Sequence, residues 1–218
     1  MDIPTLEFEL ALRAQGYHFV AGLDEAGRGA WAGPVVAAAI ILPLDRTDLQ
    51  QALDGVRDSK QLLPGAREAL FDVICQIALE IGVGISAPAV IDRDGIVPAT
   101  RRAMRRALGC LSLQPGHLIL DHLQLTAVDL PQIAFPKADA RSLSVAAASI
   151  IAKVTRDRLM VLLDRRYPGY GFARHKGYGT AAHQAALAEL GPTPIHRMSF
   201  APLSAYPKVK PPGVSQPG

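Results

Sequence analysis

The chain has 218 residues, 49% of them hydrophobic and 20% charged, which is enough apolar mass for a substantial core. No uninterrupted apolar run reaches the roughly 18 residues of a membrane span. The start, Met1-Asp2-Ile3-Pro4-Thr5, has neither the basic region nor the apolar core of a signal peptide, so a cytoplasmic protein away from membranes is expected.

The predicted elements follow in chain order. Residues 18–23 read as a strand ending at Asp24, and residues 35–42 as a buried strand after the Gly33-Pro34 turn. Residues 64–80 open on a proline and place Ala69, Leu70, Val73, Ile74, Ile77 and Ala78 on one helical face. A third strand is expected over 81–85. Residues 96–109 read as a helix with Ala99, Ala103, Met104, Ala107 and Leu108 inward and Arg101, Arg102, Arg105 and Arg106 outward. That basic face is either solvated or a nucleic-acid contact. Short strands are expected at 118–120, ending in Asp121, and at 133–135, leading to Lys137 and Asp139. A long helix is predicted over 141–166, and its small residues allow a close approach to whatever it covers. Another helix is predicted over 180–190, ended by Gly191-Pro192. Residues 207–218, rich in proline and without apolar periodicity, read as a disordered tail.

Strands mixed with helices over one core give an α/β fold with a central mixed β-sheet flanked by helices. One domain over residues 1–206 is expected, with a core over about 18–160 and a C-terminal helical extension over about 161–206. Cys75 and Cys110 are far apart in sequence and lie in apolar segments, so they read as buried reduced thiols.

Charge is unevenly spread. Residues 1–136 hold 11 Lys/Arg against 16 Asp/Glu, whereas residues 137–218 hold 12 against 4. An acidic half beside a half that faces a polyanion fits this pattern. Asp24, Glu25, Asp121 and Asp139 each sit at or just beyond the end of a strand-like run, where an α/β sheet builds its ligand site. Four carboxylates brought together repel one another, and a hard cation such as Mg²⁺ or Mn²⁺ relieves that repulsion. Two such cations suit an in-line phosphoryl displacement. The alternative is that each acid is an ordinary strand-end residue, with Asp139 capping the helix that follows. A two-carboxylate glycosidase is disfavoured by an aromatic content of only 6%, since sugar platforms are aromatic.

The histidines show no pair at metal-ligand spacing, and the chain has neither a G-x-S-x-G elbow nor a Walker loop. Residues 167–179 interleave aromatics with basic residues and glycines. They either stack on and neutralise a nucleic acid or pack their rings on the core.

The segment Gly22-Leu23-Asp24-Glu25-Ala26-Gly27-Arg28-Gly29, followed by Ala32-Gly33-Pro34-Val35-Val36, closely resembles the opening motif of the type 2 ribonucleases H, ribonuclease HII. The resemblance continues through Asp58-Ser59-Lys60, Asp121, Lys137-Ala138-Asp139, Ala146 to Asp157, His175-Lys176-Gly177-Tyr178-Gly179-Thr180 and His196-Arg197-Met198-Ser199-Phe200. It spans about residues 18–203 in the family's order.

It implies a ribonuclease H-like fold with a C-terminal helical extension. It also implies an endoribonuclease using Mn²⁺ or Mg²⁺, acting on RNA–DNA hybrids and on duplex DNA containing single ribonucleotides, in ribonucleotide excision repair and RNA primer removal; a monomer is the separate expectation. Products with a 3′-hydroxyl and a 5′-phosphate would follow. Asp24, Glu25, Asp121 and Asp139 match the family's catalytic, metal-binding carboxylates. Gly27, Arg28 and Gly29 match a turn whose backbone reads the ribose 2′-hydroxyl, the group that distinguishes RNA from DNA. Tyr178 matches a tyrosine packed against the sugar. Lys60, Lys153, His175 and Lys176 are expected to touch substrate, and Arg156 is either a backbone contact or a surface partner of Asp157.

In one departure, the residue after Asp121 is usually glycine in the family and here is His122. The added side chain either alters metal preference or points away. The rivals are a DNA nuclease on the same fold and a nucleic-acid-binding protein without catalysis.

Overall fold

The computed structural model describes residues 3–207. Apart from Pro207, the expected disordered tail lies outside the described residues. In chain order the elements are α1 (Glu7–Ala14), β1 (Val20–Ala26), β2 (Val35–Ile41), α2 (Leu49–Ala52), α3 (Pro64–Ile77), β3 (Glu80–Ser86), α4 (Pro88–Asp94), α5 (Ile96–Gly109), β4 (His117–Asp121), β5 (Gln132–Phe135), α6 (Leu143–Arg166), α7 (Phe172–His175) and α8 (Ala181–Leu190). Short 3-10 turns lie at Ser59–Gln61, Ala138–Ala140 and Leu203–Ala205.

The five strands form one sheet in the order β3-β2-β1-β4-β5. β1 pairs antiparallel with β2, and β2 with β3, while the β1–β4 and β4–β5 ladders are parallel. The sheet is therefore mixed, as expected. Its seven-residue interior strand β2, between β3 and β1, is buried throughout, which explains the unbroken apolar run Val35–Ile41.

Each sheet face is covered by helices. α6 lies across β1 and β2, and its small residues Ala146, Ala147, Ala148 and Ala152 are fully buried in that core. The approach is close: a Cβ at Gly22 would stand 2.4 Å from the backbone of Ser144. On the other face α5 covers β2 and β3, burying Ala99, Ala103, Met104 and Ala107 beneath it.

Several expectations shift in detail. β1 runs on to Ala26 instead of ending at Leu23, because β2 continues to pair through Asp24, Glu25 and Ala26. Helix α3 turns Arg67 and Ile74 inward and leaves Ala69 exposed. The two cysteines are exposed, contrary to expectation. Cys75 follows the buried Ile74 onto the outer side of α3, and Cys110 is the C-cap of α5, so neither position faces a core. The capping alternative for Asp139 is removed by Ser142, whose side chain accepts the Val145 N–H at the start of α6. Buried Glu9 of α1 reinforces that helix start, accepting from Ser142 Oγ at 2.6 Å and from the Ser144 N–H at 2.9 Å.

Candidate active site

Strand register brings the first acids together. The parallel β1–β4 ladder ends at the pair Leu23 and Leu120, so Asp24 and Asp121 are the next residues on neighbouring strands. The 3-10 turn after β5 supplies Asp139, and the Ser59–Gln61 turn supplies Lys60. Two adjoining cavities result. The larger, about 660 Å³, is lined by Asp24, Glu25, the Gly27–Gly29 turn, Lys60, Asp121, Lys153 and Tyr178. The smaller, about 380 Å³, is lined by Asp58, Lys60, Asp121, Lys137 and Asp139. Asp121 and Lys60 belong to both and join them.

The acids are incompletely satisfied. Asp24 is 2% exposed; its Oδ1 accepts the Glu25 N–H at 2.7 Å, and its Oδ2 is buried without a partner. Glu25 accepts from Arg28 at 3.1 Å through Oε1, while its Oε2 is also buried and unpartnered. Asp121 accepts the Ala138 N–H at 2.9 Å, which ties β4 to the turn carrying Asp139.

Burial first, then the charges of Glu25 and Asp121, push the Asp24 carboxyl well above its ordinary range. Burial also raises Glu25, against the opposing charge and hydrogen bond of Arg28. Burial, followed by the charges of Asp58 and Asp121, lifts Asp139 to about 6. Burial alone would lower Lys60, but the charges of Asp24, Asp58, Asp139 and Asp121 outweigh it and hold the ammonium above its usual range.

This donor set is chemically suited to a hard divalent cation: oxygen ligands only, mutually repelling, with two buried oxygens lacking any donor. The acids are close without forming a closed cage. Among the described residues no group of three His, Cys, Asp or Glu side chains is already arranged to hold a metal ion. Asp24, Glu25 and Asp121 instead each lean on a local donor.

The other predicted residues divide into two sets. Tyr178 is half-buried and faces the larger cavity, with the cationic ends of Lys153 and Arg156 at 5.6 and 5.3 Å from its ring centre. Lys153 lines the cavity while holding Asp157 at 2.8 Å.

The second set turns away from the cavity. The His175 ring nitrogens are both engaged by the loop's own backbone, Nδ1 by the Gly177 N–H and Nε2 by the Tyr170 carbonyl. The Lys176 ammonium folds back onto the Ala173 carbonyl. Arg156 is fully buried and donates to the carbonyls of Pro34, Lys176 and Ala32, so it is neither a surface partner of Asp157 nor exposed to a ligand. Within residues 167–179, Tyr170 and Phe172 stack on each other in the core, as the packing reading expects, while Tyr178 faces the cavity.

Sequence reasoning missed two supports. Buried Arg67 donates to the carbonyls of Ser59 and Leu62, and Ser149 donates to Ser59 Oγ, fixing the turn that carries Lys60. The buried pair His183 and His196 meets at 3.1 Å between Nε2 atoms. Thr193 N–H donates to His196 Nδ1, so His196 donates from Nε2 and His183 donates from Nδ1 to the Tyr178 carbonyl. The absence of metal-ligand spacing hid this contact, since the two residues are brought together only by the fold.

A model of the ribonuclease HII family matches residues 21–203. The chain belongs to the ribonuclease HII family. It is accordingly an endoribonuclease hydrolase. The ribonuclease HII of Chloroflexus aurantiacus is 54% identical over 201 residues, covering 92% of this chain and 95% of the relative. That of Roseiflexus castenholzii is 56% identical over 200 residues, covering 92% and 89%. Among solved structures, the ribonuclease H2 of Pyrococcus horikoshii superposes with a TM-score of 0.73 at 31% identity, over 86% of this chain and 96% of that one. The expected ribonuclease H-like fold is thus present. Among the described residues no helix is long and apolar enough to cross a membrane.

Proposed function

We propose that this protein hydrolyses the RNA strand of RNA–DNA hybrids and nicks duplex DNA on the 5′ side of a single embedded ribonucleotide. The observation that carries the proposal is the pair of buried, unpartnered carboxylate oxygens, Asp24 Oδ2 and Glu25 Oε2. They belong to residues lining the cavity shared with the Gly27–Gly29 turn and Tyr178. Unsatisfied carboxylates and a glycine-flanked backbone turn thus share one cleft.

Asp24, Glu25, Asp121 and Asp139 would hold Mn²⁺ or Mg²⁺. Such cations would supply an activated water and stabilise the departing oxygen. Cleavage leaving a 3′-hydroxyl and a 5′-phosphate breaks the bond from phosphorus to the 3′-oxygen, so the ribose 2′-hydroxyl serves recognition and is not the nucleophile. The Gly27–Gly29 backbone approaches that hydroxyl without side-chain interference. The Tyr178 ring packs on the sugar, and its carbonyl is held from behind by His183. Lys60 and Lys153 neutralise phosphate charge at the rim of the cleft. His175 and Lys176 act indirectly by shaping the loop that presents Tyr178.

The test compares a duplex containing one ribonucleotide with the all-DNA duplex, in Mg²⁺, in Mn²⁺ and after chelation. Cleavage only of the ribonucleotide duplex, only with a divalent cation and with a 3′-hydroxyl product end, is expected. Equal cutting of both duplexes would identify a DNA nuclease, and binding without product would identify a non-catalytic binder.

A further inference from the structure

Arg197 is fully buried, yet among the described residues it makes no ion pair with a carboxylate. All its side-chain hydrogen bonds go to backbone carbonyls. Nη2 donates to Gly27 at 2.7 Å and to Gly33 at 2.9 Å, Nη1 donates to Arg28 at 2.7 Å, and Nε donates to Gly33 at 3.1 Å. Burial, with the nearby Arg156 charge, lowers its pKa to about 9, which leaves it charged at neutral pH. A buried cation without an acid is costly unless dipoles replace its water, and here those dipoles belong to the Gly27–Gly29 turn and to Gly33.

The orientation of the turn follows. In a trans peptide the carbonyl and the next N–H point opposite ways across one plane. Holding the Gly27 carbonyl on Arg197 turns the Arg28 N–H away from it, and holding the Arg28 carbonyl turns the Gly29 N–H away. Neither N–H has an acceptor among the described residues, and both residues line the larger cavity. Gly29 is exposed, with nothing within 4 Å of where a Cβ would stand. Two successive free N–H groups make a concave donor pair. With Asp24 and Glu25 beside them, a neutral oxygen suits the pair better than an anion does.

The inner side of the turn is rigidly occupied. Gly27 has φ +93°, and a Cβ there would stand 1.9 Å from Arg156 Nε, so the guanidinium of Arg156 fills the space beneath it. Arg197 is itself fixed on both sides: its N–H donates to Trp31, and the N–H groups of Met198 and Ser199 donate to Asp92.

We propose that Arg197, outside the turn and out of contact with substrate, is the positioning residue that makes the turn a sugar reader. It draws the Gly27 and Arg28 carbonyls inward and so presents the Arg28 and Gly29 N–H groups to a ribose 2′-oxygen. This rests on the function proposed above.

The test measures binding of a duplex with one ribonucleotide and of the same all-DNA duplex, in an Asp24→Asn background that prevents cutting. Arg197→Lys keeps the charge but cannot span three carbonyls. It should lower the preference for the ribonucleotide duplex by ~10-fold, the scale of one or two hydrogen bonds, while all-DNA binding stays unchanged. An unchanged preference in the folded variant would overturn the role given to Arg197. A parent without any ribonucleotide preference would instead overturn the sugar reading itself.

Amide exchange of the protein with Arg197 intact gives a second measurement that does not depend on the variant folding. The Arg28 and Gly29 amides should exchange rapidly in the free protein and become protected by the ribonucleotide duplex but not by all-DNA duplex. Protection already present in the free protein would refute the proposal.

Discussion

At the strand ends, Asp24 and Glu25 each keep one buried oxygen without a partner, whereas nearer the C-terminus the buried Arg197, His183 and His196 commit their polar atoms to backbone and to one another. The second region backs the Gly27–Gly29 turn and Tyr178, which line the cleft beside the acids. The first stores electrostatic repulsion that a cation can release; the second is a satisfied polar network, which rigidifies what it holds. The difference separates the chemistry of this site from its positioning: unsatisfied groups bind, and satisfied groups aim.

The largest expected effect tests the unsatisfied side. Asp24→Asn should lower cleavage by ~1,000-fold or more, because it removes a proposed cation ligand from the centre of the site. It should also raise the melting temperature of the metal-free protein by about 4 °C, since a neutral amide avoids burying a charge and relieves repulsion with Glu25 and Asp121. Parallel kinetics and thermal melts check both. A variant that lost stability together with activity would show Asp24 to be structural, erasing the contrast.

The satisfied side should show itself through pH. Burial first, then the proximity of His183, lowers His196 to about 4, below an ordinary histidine near 6.5. The unfolded chain therefore binds more protons between those values, and folding stability falls as pH drops from about 6.5 towards 4. The loss is at most about 3 kcal/mol. His196→Gln should be less stable at pH 7 and show a flatter dependence of melting temperature between pH 7 and 5. An equally steep dependence in the variant would place the titrating group elsewhere.

The smallest effect lies at the seam between the two regions. His122, next to Asp121, is exposed with φ +61°, a left-handed backbone that favours glycine. Its conformation accounts for a preference for glycine at this place without invoking the metal. His122→Gly should stabilise the fold by about 0.5–1 kcal/mol in denaturant titrations, with the metal dependence of cleavage unchanged. A changed preference between Mn²⁺ and Mg²⁺ would show that the imidazole reaches the site.

Much of this was legible in the chain itself. The apolar run Val35–Ile41 announced a buried strand, and the alanines of 146–152 announced a helix lying close to what it covers, because burial and close approach act on residue type directly. The four acids stood out because each ends an apolar run. The sequence left Arg156 as a substrate-backbone contact or a surface partner of Asp157 and gave Arg197 no role of its own, since nothing local shows that a guanidinium will spend its donors on carbonyls more than a hundred residues away. Cys75 and Cys110 misled for the converse reason: an apolar neighbourhood in sequence does not say which face of a helix looks outward.

The sequence by itself determined the element types, the carboxylate set, the Gly-Arg-Gly turn and the family, because these depend on local periodicity and on residue identity in order. Only the tertiary structure decided that the β1–β4 register sets Asp24 beside Asp121, that Arg197 holds the turn from behind, and that His183 and His196 meet beneath Tyr178. Those contacts join segments far apart along the chain, and their hydrogen bonds become specific only once packing has excluded water and removed every alternative partner.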